Sequence, residues 1–329
     1  MVTPQALAEQ VTTGDRRALS RAITLIESRH PDHRPEAEAF LAALPHHAGS
    51  SLRLGISGVP GVGKSTFIEA LGLHAIADGR KIAVLAVDPS SPIGGGSILG
   101  DKTRMPELAH HLSAFIRPSP AGETLGGVAR RTSEAVTVCE AAGFDLIVVE
   151  TVGVGQSETA VADMVDAFLL LLAPGGGDEL QGIKRGIVER ADLIVVNKAD
   201  GELRKDAERV RREYATALNL LRPRTTAAGE TWSLPALTCS ARDGDGISDV
   251  WNAIQSYRLF LEKNGGIAKR RLDQARDGIW RDIAESLTDR LRAHPGVRVS
   301  MPQMERQVAA GALTPAEATR RIIAIFVGE

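Results

Sequence analysis

From Leu52 onward the chain alternates short apolar runs with longer mixed stretches. The runs Leu52–Ser57, Ile82–Val87, Leu146–Glu150, Ala167–Leu172, Leu193–Asn197 and Ala236–Ser240 are rich in Ile, Val and Leu and lack a clean apolar/polar alternation. Such runs predict strands buried on both faces. The stretches Lys64–Ala77, Thr124–Ala142, Leu203–Leu221 and Ile247–Glu262 are the predicted helices between them. Strands alternating with helices predict an α/β fold, a mostly parallel, doubly wound sheet with helices on both faces. Ligands of such a sheet bind at the carboxyl ends of its strands.

The flanking patterns are helical. In residues 1–48, Thr3-Pro4 reads as an N-cap followed by proline at the first helical position. Leu19, Ile23 and Ile26 recur at helical spacing, and Pro35-Glu36-Ala37 opens another helix with Phe40, Leu41 and Leu44 on one face. Near the other end, Gly265-Gly266 breaks the preceding helix, and Leu272, Ala275, Ile279, Ile283, Leu287 and Leu291 then mark one face of a long helix. Thr314-Pro315-Ala316-Glu317 is a capping box opening a last helix that bears Ala318, Ile322, Ile323 and Phe326. The expected organisation is an N-terminal helical extension (1–48), an α/β domain (49–263) and a C-terminal helical arm (264–329). The arm's apolar stripe packs on its own domain or on a second copy, and a homodimer is expected.

Composition narrows the class. Of 329 residues, 43% are hydrophobic and 24% charged, which is ordinary for a soluble globular protein. Aromatics are 4%, so the core is expected to be built from Leu, Ile, Val and Ala. A net charge of -2 gives no support for a nucleic-acid surface. Cys139 and Cys239 fall in apparent helix and strand segments, read as buried small apolar residues, and suit a reducing cytosol. The N-terminus lacks the basic region and apolar run of a signal peptide, and the longest apolar stretches are far shorter than a membrane span. The expectation is a cytoplasmic protein with no nucleic-acid and no membrane partner.

Chemistry enters at Gly58-Val59-Pro60-Gly61-Val62-Gly63-Lys64-Ser65-Thr66, which fits GxxxxGK(S/T) without a mismatch and stands between a predicted strand and a predicted helix. The glycines let backbone N–H groups curl around an anion, and the following helix aims its positive end at it. Lys64 supplies a charge for the β- and γ-phosphates, and Ser65 a hydroxyl for Mg²⁺. The loop after the second strand runs from Asp88 through Gly94-Gly95-Gly96 to Asp101 and Arg104. Asp88 and Asp101 are candidates for Mg²⁺ or its waters, and Arg104 for phosphate charge. A solvated surface loop is the competing reading.

The run Leu146–Val149 ends in Glu150, with Gly153 three residues on. A carboxylate there can accept a water of Mg²⁺, and the Gly153 N–H can meet the γ-phosphate, so that a loop hinged there would sense hydrolysis. Many efficient GTPases place a water-orienting glutamine directly after this glycine. This chain has Val154 there, with Gln156 two residues later. Slow intrinsic hydrolysis is expected. The glycine-rich segment Pro174–Arg185 is either a third mobile loop or an ordinary connection. Lys64, Asp88, Asp101, Arg104 and Glu150 form the candidate catalytic set, with Ser65, Asp88, Asp101 and Glu150 as candidate metal ligands.

Asn197-Lys198-Ala199-Asp200 closes the fifth predicted strand. Asp200 can accept from both N1–H and the 2-amino group of guanine, Asn197 can serve the O6/N7 edge, and the Lys198 stem can lie along the base. Adenine would leave the carboxylate unpaired, so the motif selects guanine. Lying about 130 residues beyond a phosphate loop and at a strand end, it carries weight that a lone tetrapeptide would not. Ser240-Ala241-Arg242, after the next strand, offers backbone N–H to guanine O6. The residues therefore predict a Mg²⁺-dependent NTPase that binds GTP and GDP.

With these segments in place the chain resembles the MeaB/ArgK-type GTPases, the G-protein chaperones of adenosylcobalamin-dependent methylmalonyl-CoA mutase. Gly58–Thr66, Val87-Asp88-Pro89-Ser90-Ser91, Glu150–Glu158 and Asn197–Asp200 carry the resemblance over the full length, and the third of these separates the group from Ras-like proteins. It implies a cytosolic homodimer that binds the mutase, gates loading of its cobalamin cofactor with GTP and protects it from inactivation. It also implies Mg²⁺-linked carboxylates at Asp88, Asp101 and Glu150 with Ser65 as a direct ligand. A metal-delivery GTPase for another metalloenzyme would call for a Cys/His cluster. His46-His47, His110-His111 and His294 show no ligand spacing. A small-molecule kinase, the other alternative, would be poorly served by a guanine-specific base site.

Overall fold

The computed structural model describes residues 2–328 except 29, 31, 46–50, 89–103, 121–124, 152–155, 176–184, 219–223, 226–228 and 264. Asp101 and Gly153 lie outside the described residues. So does the loop 176–184.

Among the described residues a seven-stranded sheet is built from β1 (Leu52–Ser57), β2 (Ile82–Asp88), β3 (Ala114–Pro120), β4 (Leu146–Thr151), β5 (Ala167–Leu172), β6 (Leu193–Val196) and β9 (Ala236–Thr238). The order is β3-β2-β4-β1-β5-β6-β9, and every pairing is parallel. A separate antiparallel pair joins β7 (Arg224–Thr225) and β8 (Thr231–Trp232). Alternate residues of one strand feed two different cores. Ile147 and Val149 join one cluster, while Leu146 and Val148 join the other. Both faces are thus dry, which is why these strands read as unbroken apolar runs.

One face is covered by α4 (Lys64–Ala77) and α10 (Ile247–Lys263), through Phe67, Ile68, Leu71, Trp251 and Ile254. The other is covered by the N-terminal helices α1 (Pro4–Thr12), α2 (Arg16–Glu27) and α3 (His33–Ala43), together with α6 (Leu125–Ala141). Leu19, Ile23 and Phe40 are fully buried in that layer. The expected cap and proline are found, with Thr3 Oγ1 accepting from Ala6 N–H and Pro4 opening α1. The short α5 (Pro106–His110) precedes β3, and α7 (Gln156–Ala162), α8 (Arg185–Val188) and α9 (Arg204–Leu218) follow β4, β5 and β6.

The edge opposite the candidate site is held by buried charge. Asp166 accepts from Arg53 N–H at 2.9 Å and from Arg271 at 2.5 and 2.9 Å, and Glu140 pairs with Arg53 at 2.7 Å. Asp192 accepts from Tyr257 Oη–H at 2.5 Å and from Phe168 N–H at 2.9 Å. Arg270 and Arg271 belong to α11 (Gly266–Ala293), so the start of that long helix is tied to the strand entries. The chain forms two compact units, Met1–Gln274 and Ala275–Glu329, and the division falls inside α11. In the second unit α12 (Pro295–Ala309) packs on α13 (Pro315–Val327), where Thr314 caps the helix by accepting from Glu317 N–H. No described helix is long and apolar enough to cross a membrane.

Candidate functional site

The carboxyl ends of β1, β4, β6 and β9 bring the sequence motifs together. β1 ends at Ser57, and the chain turns through Gly58–Gly63 into α4. Two glycines are dictated by space. A Cβ on Gly58 would stand 2.4 Å from the Leu171 carbonyl oxygen, so only glycine lets the loop pass β5 this closely. Gly63 is the N-cap of α4 with φ 92, and a Cβ there would meet Asn197 Nδ2 at 2.7 Å. No side chain among the described residues caps α4, and its first turn has no acid, so its leading N–H groups face outward with the positive end of the helix. That arrangement suits an anion.

Lys64 is largely buried. Its Nζ donates to the carbonyls of Gly58 at 2.8 Å and Val59 at 3.3 Å. Burial holds its amine below the usual lysine pKa, an effect opposed by the Glu150 and Glu158 carboxylates and reinforced by the Arg104 guanidinium. The structure therefore brings Arg104, itself exposed, into the electrostatic reach of Lys64. Ser65 Oγ donates to Glu150 Oε1 at 3.3 Å, joining the α4 start to the end of β4. A hydroxyl and a carboxylate side by side are hard oxygen donors of the kind Mg²⁺ takes. Asp88 ends β2 next to Pro120 of β3, but its side chain, like all of Asp101, is outside what is described. Among the described residues no group of three or more His, Cys, Asp or Glu could hold a metal ion.

The guanine motif sits against the phosphate loop. Asn197 is almost fully buried, with Nδ2 donating to the Val62 carbonyl at 3.0 Å and Oδ1 accepting from Ala241 N–H at 3.0 Å. This amide is first a brace between two loops. Only its second Nδ2–H is left for a base edge, a smaller share than its place in the motif predicts. Lys198 is the one non-glycine residue with positive φ (59) among the described residues, and its Nζ donates to the Gly61 carbonyl at 2.7 Å. Its stem thus crosses toward the phosphate loop. Asp200 accepts from Ser240 Oγ at 2.8 Å and from Arg242 at 3.0 Å, while Arg242 also grips Asp243 at 2.7 Å. Pro60, Gly61 and Thr66 are exposed on the loop, and Ser240 and Ala241 are buried beneath the guanine motif.

Among the described residues, Glu158, Ser57 and Thr151 add to the candidate set at this site. Glu158, in α7, accepts from Ser57 Oγ at 3.1 Å, and Ser57 accepts from Thr151 Oγ1 at 2.9 Å. Its partner is 101 positions away in the chain, and no local pattern announces the pairing. Gln156 opens α7, with its side chain outside what is described.

Comparison with known proteins agrees with this constellation. A family profile described as "Methylmalonyl Co-A mutase-associated GTPase MeaB" matches residues 19–296. A Mycobacterium tuberculosis protein named "Probable GTPase Rv1496" is 52% identical over 323 residues, covering 98% of this chain and 95% of that protein. A Mus musculus protein named "Methylmalonic aciduria type A homolog, mitochondrial" is 47% identical, covering 95% of this chain and 77% of the mouse protein. A solved structure of a protein described as "LAO/AO transport system kinase" superposes with a TM-score of 0.74 at 37% identity, covering 98% of this chain and 97% of that one.

Proposed function

The chain belongs to the MeaB family of GTPases, and from that premise we propose that it is a Mg²⁺-dependent switch acting on methylmalonyl-CoA mutase, gating adenosylcobalamin loading and protecting the mutase from inactivation. The observation that carries the reading is the family match across 19–296, whose description names the mutase, around a phosphate loop and guanine motif that pack on each other. The small-molecule kinase reading is not favoured, because Asp200, Ser240 and Asn197 form a base site suited to guanine.

In this reading the outward N–H groups of the α4 start receive the phosphates, and Lys64 turns from the Gly58 and Val59 carbonyls to the β- and γ-oxygens. Ser65 and Glu150, joined through the resemblance by Asp88 and Asp101, would hold Mg²⁺, which would supply positive charge against the phosphates. Arg104 lies close enough to add positive charge. Asp200 accepts from the guanine edge, Ala241 and Arg242 lie beside it, and Gly153 follows the end of β4 as a hinge. Val154 supplies no group to orient water, so the isolated protein turns over slowly. The arm, 264–329, is the dimerisation element, and within it Ile279, Trp280 and Leu287 are exposed. The protein is cytoplasmic. A pull-down of mutase by the tagged chain tests the reading. Capture that differs between GDP and a non-hydrolysable GTP analogue is expected, and no capture with either nucleotide would count against it.

A further inference from the structure

Glu158 is an acid at the site to which the motifs give no role. Its carboxylate is buried, 6% exposed. Oε1 is fixed by Ser57 Oγ at 3.1 Å, and Ser57 is the last residue of β1, one position before Gly58. Oε2 is buried and has no hydrogen-bond partner among the described residues. The Lys64 amine rests on the carbonyls of Gly58 and Val59, so it occupies the same end of the loop, and the charge of Glu158 acts on it. The phosphate-loop lysine reaches the β- and γ-phosphates. The end of the loop beside Gly58 and Val59 is therefore the end that meets the terminal phosphate.

The two acids around Lys64 are not equivalent. Glu150 lies against Ser65 Oγ, the hydroxyl offered to the cation. Glu158 lies against Ser57 and keeps one oxygen without a partner among the described residues. A buried charge with an unpaired oxygen is poorly compensated, and a second negative group brought near it is repelled with little water to screen the two.

We propose that Glu158 sets the preference between triphosphate and diphosphate, as a fixed negative charge under the phosphate loop that opposes the γ-phosphate more than the β-phosphate. The Thr151–Ser57–Glu158 chain of hydroxyls holds that charge in place, linking β4, β1 and α7. Triphosphate then binds less tightly than its extra charge toward Lys64 would give, and α7 registers the terminal phosphate directly. The inference rests on the placement of the phosphates at Gly58–Thr66.

The test is isothermal titration of the full chain with GDP and with a non-hydrolysable GTP analogue, at fixed Mg²⁺, for the wild type, Glu158→Gln and Ser57→Ala. Glu158→Gln removes the charge and keeps the shape. It should tighten the triphosphate analogue by about tenfold while GDP changes by about twofold or less, the size expected for one unit charge acting across about 12 Å at an effective dielectric of about 20. Ser57→Ala unpins the carboxylate and should shift the ratio in the same direction by less, adding little when combined with Glu158→Gln. A merely structural role would move both nucleotides together. An unchanged triphosphate-to-diphosphate ratio, or a shift toward GDP, overturns the proposal. Should Glu158→Gln not fold, an unchanged ratio in Ser57→Ala overturns it alone. Failure of the wild type to bind either nucleotide would instead remove the phosphate-loop placement beneath it.

Discussion

Asn197→Ala tests whether the guanine motif is a structural brace as well as a reader of the base. The orientation of its amide is fixed by its partners, since Oδ1 faces an N–H and Nδ2 faces a carbonyl. Val62 and Ala241 are both buried, so water has poor access to the groups that truncation would expose. Leaving one buried polar group unsatisfied costs about 1–3 kcal/mol, and here the Val62 carbonyl and the Ala241 N–H lose their partner together. The expected loss is about 3–5 kcal/mol, a large part of a stability of roughly 5–15 kcal/mol. Urea unfolding followed by circular dichroism gives the stability change, and titration with GDP gives the affinity. Both should fall, because the brace positions the phosphate loop as well as the base loop. Asn197→Asp should fare little better, since it keeps an acceptor for Ala241 but turns another toward the Val62 carbonyl. A loss below about 1 kcal/mol would show that the two loops hold themselves. Lost stability with unchanged GDP affinity would show that the brace does not organise the site.

Two further substitutions address the chemistry. Lys64→Ala should lower GTP turnover, measured by phosphate release, by about 100-fold or more while the fold persists. Near-normal turnover would remove the role assigned to it. Asp200→Asn should weaken GTP by about 100-fold or more and improve xanthosine triphosphate, because an amide donor replaces an acceptor facing the base. Competition against a labelled nucleotide measures both, and unchanged GTP affinity would contradict the base-site assignment.

The parts legible in the sequence are those whose determinants are local. The phosphate loop lies within nine consecutive residues, and the strands announce themselves because both faces are apolar. Strand β3 did not, since Pro118 and Pro120 interrupt its pattern. The prolines are tolerated at the sheet edge, where among the described residues β3 pairs only with β2 and an absent N–H does little harm. In the same way Pro302 disguised helix α12. The site's connections were illegible for a different reason. Asn197 meets Val62 across 135 positions, and Ser57 meets Glu158 across 101. Only the order of strands in the sheet brings such residues together. Arg271 and Asp166 are another case, since two charged residues 105 apart gave no sign that they would be buried against each other.

The proposed switch is slow alone and answers to the mutase. Its most direct test is GTP turnover by the purified chain with and without cobalamin-dependent methylmalonyl-CoA mutase, at saturating GTP and Mg²⁺. Slow turnover alone and a clear rise when the mutase is added are expected, the rise being lost in Lys64→Ala. Fast turnover without a partner would contradict the argument from Val154, and turnover that the mutase leaves unchanged would contradict the proposed switch.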